Sequence, residues 1–232
     1  MSHQYRPNVF DVTDEKAARE IILTPAGGQS TDQRWEIETP YVANRVAELL
    51  DLDARDTIID FGCGIGRISK VLIENTGCSV LGVDISASMR ELAVGYVGSE
   101  RFRAVSPEEL DRMAQGGWRA DGAFACWVLQ HCPQPEAEIV RIVGALHPAS
   151  DLVVFNLATT QAIPVDVGWS LQEVDMRTLL RRHAAEIMTE GVPPEINPEP
   201  VFAGLYLTHQ SAQAQPEGDS GGLWSRLKRL LP

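Results

Sequence analysis

The chain has 232 residues, of which 44% are hydrophobic and 22% charged, a composition typical of globular proteins and unlike that of disordered ones. Twenty Lys and Arg against 32 Asp and Glu give a net charge of −12, so no broad positive field is present and we expect no nucleic-acid partner. No apolar run approaches the roughly 20 residues that span a bilayer, and the first 15 residues contain no apolar signal segment, so we expect a cytoplasmic location.

The predicted strands are short and apolar on both faces, as expected for strands of a sheet that helices cover on both sides. They are residues 57–61, 79–84, 102–105, 121–126 and 151–157, with two more near 184–189 and 201–207.

Helix start signals lie between these strands. Thr39-Pro40 predicts a helix over about 40–50, with proline at its first position. The capping box that begins at Ser106 predicts a short helix to about 114, and a similar spacing from Ser170 to Glu173 predicts one over about 171–182. This alternation predicts an α/β fold with a doubly wound, mostly parallel sheet, in which ligands bind at the carboxyl ends of the strands.

The chain divides into four predicted parts. Residues 1–38 form an N-terminal extension or lid, 39–208 the α/β domain, 209–222 a polar linker and 223–232 a basic amphipathic tail. Residues 158–170 would also cover the pocket, with Ile163 and Trp169 as apolar contacts. The tail fits three interpretations, which are weak attachment to a membrane surface or a protein, docking on the acidic body of the chain, and a frayed end.

The strongest local signal is the segment Asp60–Gly66 (DFGCGIG), which lies between a strand and a helical run. Its glycines allow a sharp turn and close approach of a ligand to the backbone, and the following helix presents unpaired N–H groups. Arg67 stands where a dinucleotide fingerprint would have its third glycine. Asp84 closes the next strand, where a carboxylate is able to accept hydrogen bonds from both hydroxyls of a ribose.

At these residues the sequence resembles the class I S-adenosylmethionine-dependent methyltransferases. DFGCGIG is similar to their first motif, GVDIS (82–86) with Met89 to their second, and ACWVLQHC (125–132) to the segment that ends their fourth strand. The likeness covers about residues 39–208 and implies a Rossmann-like, seven-stranded sheet with helices on both faces. Ser106-Pro107 departs from the pattern, because the family often has an Asp there beside the adenine.

The resemblance implies S-adenosyl-L-methionine as the cofactor and assigns residues to its parts. The amino-acid end would contact Asp60 and the backbone of Gly62, Cys63, Gly64 and Gly66; the ribose would contact Asp84; the adenine would contact Ile85, Met89 and Ser106; and Cys126 with Trp127 would line the methionine side. Ser106 is equally explained as a helix cap. Trp35, with Arg34, would close over the cofactor or lie at the surface.

The predicted activity is methyl transfer to a small molecule, most plausibly at oxygen and less so at nitrogen or carbon. A base is needed only for a protonated acceptor, and His131, after the fourth strand, is the candidate, with a structural hydrogen-bonding role as the alternative. His183 fits a helix end better.

Several chemistries are not supported by the sequence. No [DN]PP[YF] motif ends the fourth strand, and no His/Asp/Glu cluster has the spacing of a metal site, so no metal is predicted. The four cysteines, Cys63, Cys78, Cys126 and Cys132, form no CxxC pair and fit reduced thiols. We read Cys126 and Cys132 as packing residues rather than nucleophiles. Two other classes remain open, a non-catalytic cofactor-binding scaffold or regulatory module and a protein or tRNA methyltransferase.

Overall fold

The computed structural model describes residues 3–184, 186–197 and 201–207. The seven α-helices are α1 (Glu15–Ile22), α2 (Thr31–Leu50), α3 (Arg67–Thr76), α4 (Ala87–Val97), α5 (Pro107–Gln115), α6 (Pro135–Gly144) and α7 (Met176–Arg181). The strands are β1 (Thr57–Phe61), β2 (Ser79–Val83), β3 (Phe102–Val105), β4 (Ala120–Cys126), β5 (Leu146–Leu157), β6 (Thr160–Val165), β7 (Gly168–Glu173), β8 (Glu186–Gly191) and β9 (Val201–Leu207). Short 3-10 turns cover Pro7–Phe10 and Leu129–His131.

The main sheet has seven strands in the order β3-β2-β1-β4-β5-β9-β8. Strands β3, β2, β1, β4 and β5 run parallel to one another, and β9 runs antiparallel to both β5 and β8. The predicted mostly parallel, seven-stranded sheet is therefore confirmed. The carboxyl ends of β1, β2 and β4 meet at one edge, which is where such sheets bind ligands.

Helices cover both faces of the sheet, because successive strand residues point to opposite sides. Ile58 packs with residues of α2, α3 and α4, whereas its neighbour Ile59 packs with residues of α5, α6 and α7. These two apolar layers form the core. No helix in the part of the chain that the structure describes is long and apolar enough to cross a membrane.

The helix predicted to begin at residue 40 begins earlier. Helix α2 starts at Thr31, and Ser30 caps it in a capping box with Gln33, whose side chain accepts a bond from the Ser30 N–H. Pro40 therefore lies inside the helix and is not its first residue. The capping box at residue 30 satisfies the free N–H groups of the first turn, so the Thr39-Pro40 start was wrong.

The helix predicted over 171–182 was also wrong in its first half. Residues Gly168–Glu173 form strand β7, which pairs antiparallel with β6 in a separate two-stranded sheet. Its backbone hydrogen bonds go to β6, so the helical spacing from Ser170 has no role. The helix begins only at Met176, where Asp175 caps it by accepting from the Thr178 N–H.

Two peripheral segments cover the carboxyl edge of the sheet. The N-terminal strap (residues 3–14) pairs with the lid hairpin (residues 160–173), since the Arg6 N–H donates to the Pro164 carbonyl at 2.9 Å. Its other end joins the turn after β2, where the Val12 N–H donates to Ser88 Oγ at 2.9 Å and Ser86 Oγ donates to Asp11 Oδ1 at 2.9 Å. The linker 209–222 and the tail 223–232 lie outside the described residues.

Candidate functional site

A cavity of about 510 Å³ opens at the carboxyl ends of β1, β2 and β4, a size typical of small-molecule sites. The N-terminal strap, α1, the start of α2 and the lid hairpin supply the rest of its lining. Of the residues predicted to bind a cofactor, those lining this cavity are Gly62, Gly64, Asp84, Ile85, Met89, Cys126 and Trp127.

The glycines after β1 form a tight left-handed turn. Gly62, Gly64 and Gly66 have φ values of 77°, 52° and 79°, which residues with a Cβ adopt only at a cost. A Cβ on Gly64 would lie 2.7 Å from Ile22 Cδ1, and one on Gly66 would lie 2.4 Å from Val97 Cγ2. Gly62 and Gly64 therefore keep the turn open at the cavity wall, while Gly66 allows close packing behind it.

Asp84 holds this turn in place from the end of β2. Its Oδ2 accepts from the Gly64 N–H at 2.8 Å, and its Oδ1 accepts from the Ser86 N–H at 2.9 Å. Burial raises the pKa of the carboxyl group, although the two backbone hydrogen bonds oppose that shift. Because each carboxylate oxygen accepts more than one hydrogen bond, both still have capacity for ligand hydroxyls.

Asp60 lies behind the glycine turn and does not line the cavity. Ser69 Oγ donates to its Oδ2 at 2.6 Å, and burial raises the pKa of the carboxyl group to about 7. Its neighbour Cys63 packs in the core, where burial raises the thiol pKa well above its usual value. The structure therefore gives both side chains a supporting position beneath the turn.

Ser106 and Trp35 also lie away from the cavity lining. The Ser106 hydroxyl accepts from the Glu109 N–H at 3.2 Å and caps α5. The Trp35 ring is buried and contacts two guanidinium groups, those of Arg19 and Arg67, at 4.6 and 5.5 Å from the ring centroid. Ser106 thus caps a helix and Trp35 packs against neighbouring side chains, and both roles are structural.

A buried charge cluster lies beside Trp127 and reaches the cavity through Arg34 and Asn197, and the sequence did not reveal it. Glu38 has no exposed surface, and Arg34 and Arg67 are 7% and 4% exposed. Arg34 Nη2 donates to Glu38 Oε2 at 3.0 Å, and Arg67 Nη2 donates to Oε1 at 3.3 Å. Trp127 Nε1 and Asn197 Nδ2 add bonds at 2.6 and 3.3 Å. Two cations share one anion, which leaves one excess positive charge next to the cavity.

Trp127 follows β4 with a φ of 58°, in the left-handed region that bulky side chains avoid. Its bond to Glu38 holds the indole in place against that cost, and the side chain lines the cavity. Strain of this kind is typical of residues that the surrounding structure positions for a ligand.

His131 lines the same cavity as a neutral imidazole. Its Nδ1–H donates to the Ala162 carbonyl of the lid hairpin at 2.6 Å, which leaves the lone pair on Nε2. Gln130 Oε1 accepts from the Leu157 N–H at 3.1 Å, so the Gln130 amide N–H donates to His131 Nε2 at 3.3 Å. Burial lowers the pKa of His131 despite the bond to Ala162, which favours the neutral form.

The two cysteines near the site are poor nucleophiles. Burial raises the pKa of Cys126, and it raises that of Cys132 to about 12, so both thiols stay protonated near neutral pH. His183 lies elsewhere, with its Nε2 at 3.2 Å from Glu136.

Sequence reasoning missed the cavity residues that depend on tertiary contacts, namely Tyr5, Phe10, Gln130, Glu138 and Asn197. A local signal existed for Arg34 and Glu38, because residues four apart lie on one face of a helix. It went unused because the predicted helix began after both residues.

Comparison with known proteins shows what the domain and the fold are similar to. Residues 59–152 match a protein-family model described as "Methyltransferase domain". The fold resembles that of magnesium protoporphyrin IX methyltransferase from Synechocystis PCC 6803, solved with S-adenosylhomocysteine bound, with a TM-score of 0.60 and 17% identity over 87% of this chain and 97% of that one. Residues 59–152 are therefore similar to a methyltransferase domain, and the fold is that of the class I S-adenosylmethionine-dependent methyltransferases, a class whose cofactor is S-adenosyl-L-methionine.

Two curated relatives act on small molecules according to their names. N-demethylindolmycin N-methyltransferase from Streptomyces griseus is 32% identical over 111 residues, 46% of each chain. O-methyltransferase resE from Aspergillus sclerotiorum is 30% identical over 141 residues, which are 58% of this chain and 52% of the relative. The chain thus spans about half the length of these two relatives.

Proposed function

We propose that this protein transfers the methyl group of S-adenosyl-L-methionine to an oxygen atom of a small molecule. One observation carries the proposal: the same cavity is lined by the glycine turn with Asp84 and by a neutral histidine whose Nδ1–H is bound to the Ala162 carbonyl, which leaves Nε2 as its basic nitrogen. The first group suits the cofactor, and the second suits the removal of a hydroxyl proton. The names of the two relatives support a small-molecule acceptor.

The residues of the cavity fit the cofactor in charge and hydrogen bonding. Asp84 has acceptor capacity for the two ribose hydroxyls. Arg34 lines the cavity, and its buried Nε has no hydrogen-bond partner among the described residues. Because Glu38 balances only one of its two arginines, Arg34 is suited to bind the carboxylate of the methionine part. Asp60 would act indirectly, by supporting the turn from behind.

The cofactor supplies a methyl group that is already electrophilic, so the chain mainly has to position the acceptor and remove its proton. The acceptor hydroxyl displaces the long 3.3 Å hydrogen bond that the Gln130 amide donates to His131 Nε2. Its O–H bond then breaks, its proton moves to Nε2, and the oxygen forms the new bond to the methyl carbon. The electron pair of the broken C–S bond remains on sulfur and neutralises its positive charge. The Ala162 carbonyl then stabilises the imidazolium through Nδ1–H.

The test is formation of S-adenosylhomocysteine by the full chain across a panel of hydroxylated small molecules, before and after the change His131→Ala. We expect kcat/KM to fall by about 10²–10⁴-fold while affinity for S-adenosylhomocysteine stays within about twofold. Since burial lowers the pKa of His131, the wild-type rate should fall with acid at a lower pH than it would for an exposed histidine base, and the variant should lack this acid limb.

The matched control is His183→Ala, whose imidazole pairs with Glu136 away from the cavity and whose loss should leave the rate unchanged. A loss of less than about threefold in His131→Ala would contradict the role as base and return His131 to a structural one. Tight cofactor binding with no product across the panel would instead support a non-catalytic binding module.

We also propose weak, salt-sensitive attachment through the tail 223–232. In the sequence, Leu223, Trp224, Leu227, Leu230 and Leu231 share one helical face, and three basic residues lie mainly on the other. At about 1 kcal/mol per basic residue, such a tail supports only reversible binding to an anionic surface. Co-sedimentation with anionic vesicles should be stronger for the full chain than for a form ending at Gln215, and equal sedimentation would contradict the membrane role.

A further inference from the structure

We propose that the acceptor is an uncharged, flat molecule with a weakly acidic hydroxyl group on an aromatic or conjugated ring. This inference rests on the proposed function and names the substrate class of the same cavity.

Three rings form a continuous aromatic wall beside the proposed base. The centroid of the His131 ring lies 6.0 Å from that of Phe10 and 5.4 Å from that of Trp169, and the Phe10 and Trp169 centroids are 6.4 Å apart. The rings come from the N-terminal strap, the turn after β4 and the lid hairpin. All three line the cavity, and Trp169 remains 46% exposed, so it stands at the mouth with surface available for a ligand. A wall of this kind favours a flat π-system.

The charges of the cavity disfavour an anionic acceptor. The charged side chains lining it are Arg34, Asp84 and Glu138. Arg34 is bound to Glu38 on the cofactor side, and Glu138 already pairs with Arg141 on helix α6. Among the described lining residues Arg34 is the only cation, and the proposed function assigns it to the cofactor carboxylate, so none remains for an anionic acceptor, whereas Glu138 would repel one.

The polar groups beside the wall fit a neutral hydroxyl compound. Tyr5 lines the cavity with the hydroxyl-bearing ring of its side chain half-buried. Burial, helped by the charges of Glu138 and Asp84, raises its pKa to about 12, so it stays a neutral donor for a second oxygen of the acceptor.

Because His131 is a weak base, the hydroxyl group of the acceptor has to be comparatively acidic. Because burial lowers the pKa of His131, it is a weaker base than an exposed histidine. Proton transfer to it is far easier from a phenol-like hydroxyl, with a pKa of about 10, than from an aliphatic alcohol. This matches the aromatic wall, since ring conjugation is what makes such hydroxyls acidic.

The probes are 2-naphthol, its anionic counterpart 2-naphthoate, and decahydro-2-naphthol, which keeps the hydroxyl but is not flat. Each is titrated calorimetrically into the full chain saturated with S-adenosylhomocysteine. We expect the Kd of 2-naphthol to be at least about tenfold lower than that of either other probe. Trp169→Leu and Phe10→Leu should each raise the Kd of 2-naphthol by about two- to twelvefold, and Trp169→Phe should keep most of the wild-type affinity.

Leu171→Ala is the matched control, because Leu171 lies on the same strand as Trp169, is 73% exposed and does not line the cavity. It should leave all three Kd values unchanged. Equal binding of naphthol and decahydronaphthol, tighter binding of naphthoate, or no binding of naphthol would overturn the acceptor class. If the wild-type chain did not bind S-adenosylhomocysteine at all, the proposed function would be refuted. Failure of the acceptor class and failure of the proposed function are therefore distinguishable.

Discussion

Replacing Glu38 by Gln tests whether the buried charge cluster stabilises the fold. The Glu38 carboxylate accepts four bonds, from Arg34 and Asn197 on Oε2 and from Arg67 and Trp127 on Oε1. A glutamine of the same shape has one acceptor oxygen, and its NH₂ group would face two of these donors. Two guanidinium groups that are almost fully buried would also lose their anion.

The expected loss of stability follows from this arrangement. Removing one partner of a buried ion pair costs about 3–5 kcal/mol, because a charge remains buried without compensation. We therefore predict that the free energy of unfolding falls by about 3–5 kcal/mol, a large part of the roughly 5–15 kcal/mol of an ordinary domain. At about 2–4 °C per kcal/mol for a chain of this size, Tm should fall by about 6–20 °C.

Urea unfolding followed by circular dichroism measures the change, provided that the slope with denaturant stays constant. The matched control is Glu48→Gln on the same helix, where the carboxylate pairs with Arg45 and is 53% exposed. A surface pair of that kind should contribute less than about 1 kcal/mol. If Glu38→Gln lost no more stability than Glu48→Gln, the reasoning about the buried cluster would be refuted.

Three further changes test the cofactor side. Asp84→Asn removes the charge that faces the ribose and should raise the Kd for S-adenosylhomocysteine by about 10–150-fold, at about 1.5–3 kcal/mol for a charge-assisted bond; unchanged affinity in a folded variant would refute the ribose contact. Gly64→Val should weaken the binding of S-adenosylhomocysteine and lower Tm, because φ at this position is +52° and the new Cβ would lie 2.7 Å from Ile22 Cδ1. Gly95→Val is the control, because the space around its Cβ is open, and it should leave the affinity for this ligand unchanged. Asp60→Asn should flatten the dependence of unfolding free energy on pH. Because burial raises this pKa from 3.8 to about 7, the folded chain binds more protons than the unfolded chain between these values, and stability falls as pH rises through that window. The measurement is urea unfolding at several pH values. If the unfolding free energy of wild type and variant changed equally with pH, the raised pKa of Asp60 would be contradicted.

Much of the fold and part of the site follow from local sequence. The predicted strands 57–61, 102–105 and 201–207 have the same bounds in the structure. Short apolar runs between turn residues specify such strands without reference to distant contacts. The same holds for the glycine turn and Asp84, because backbone freedom and a carboxylate at a strand end are properties of a few adjacent residues.

Helix boundaries were harder, because more than one start signal lies in the same stretch of sequence. Ser30 and Gln33 have the spacing of a capping box, and Thr39-Pro40 also marks a plausible start, so the packing of the segment between them shows that the helix already runs through it. In the structure, that segment carries Trp35 and Glu38 into buried contacts. The helical spacing at Ser170 likewise gave way to strand pairing with β6, which brings partners from elsewhere in the chain.

The sequence by itself determined the class of fold and the cofactor edge of the sheet, since periodicity, turns and strand ends are local. Only the tertiary structure decided what surrounds that edge. Phe10, His131 and Trp169 meet from three distant segments, and Glu38 gathers donors from α2, α3, the turn after β4 and residue 197. Contacts of this kind have no periodic signal, because they form only when the strap and the lid hairpin fold back over the sheet.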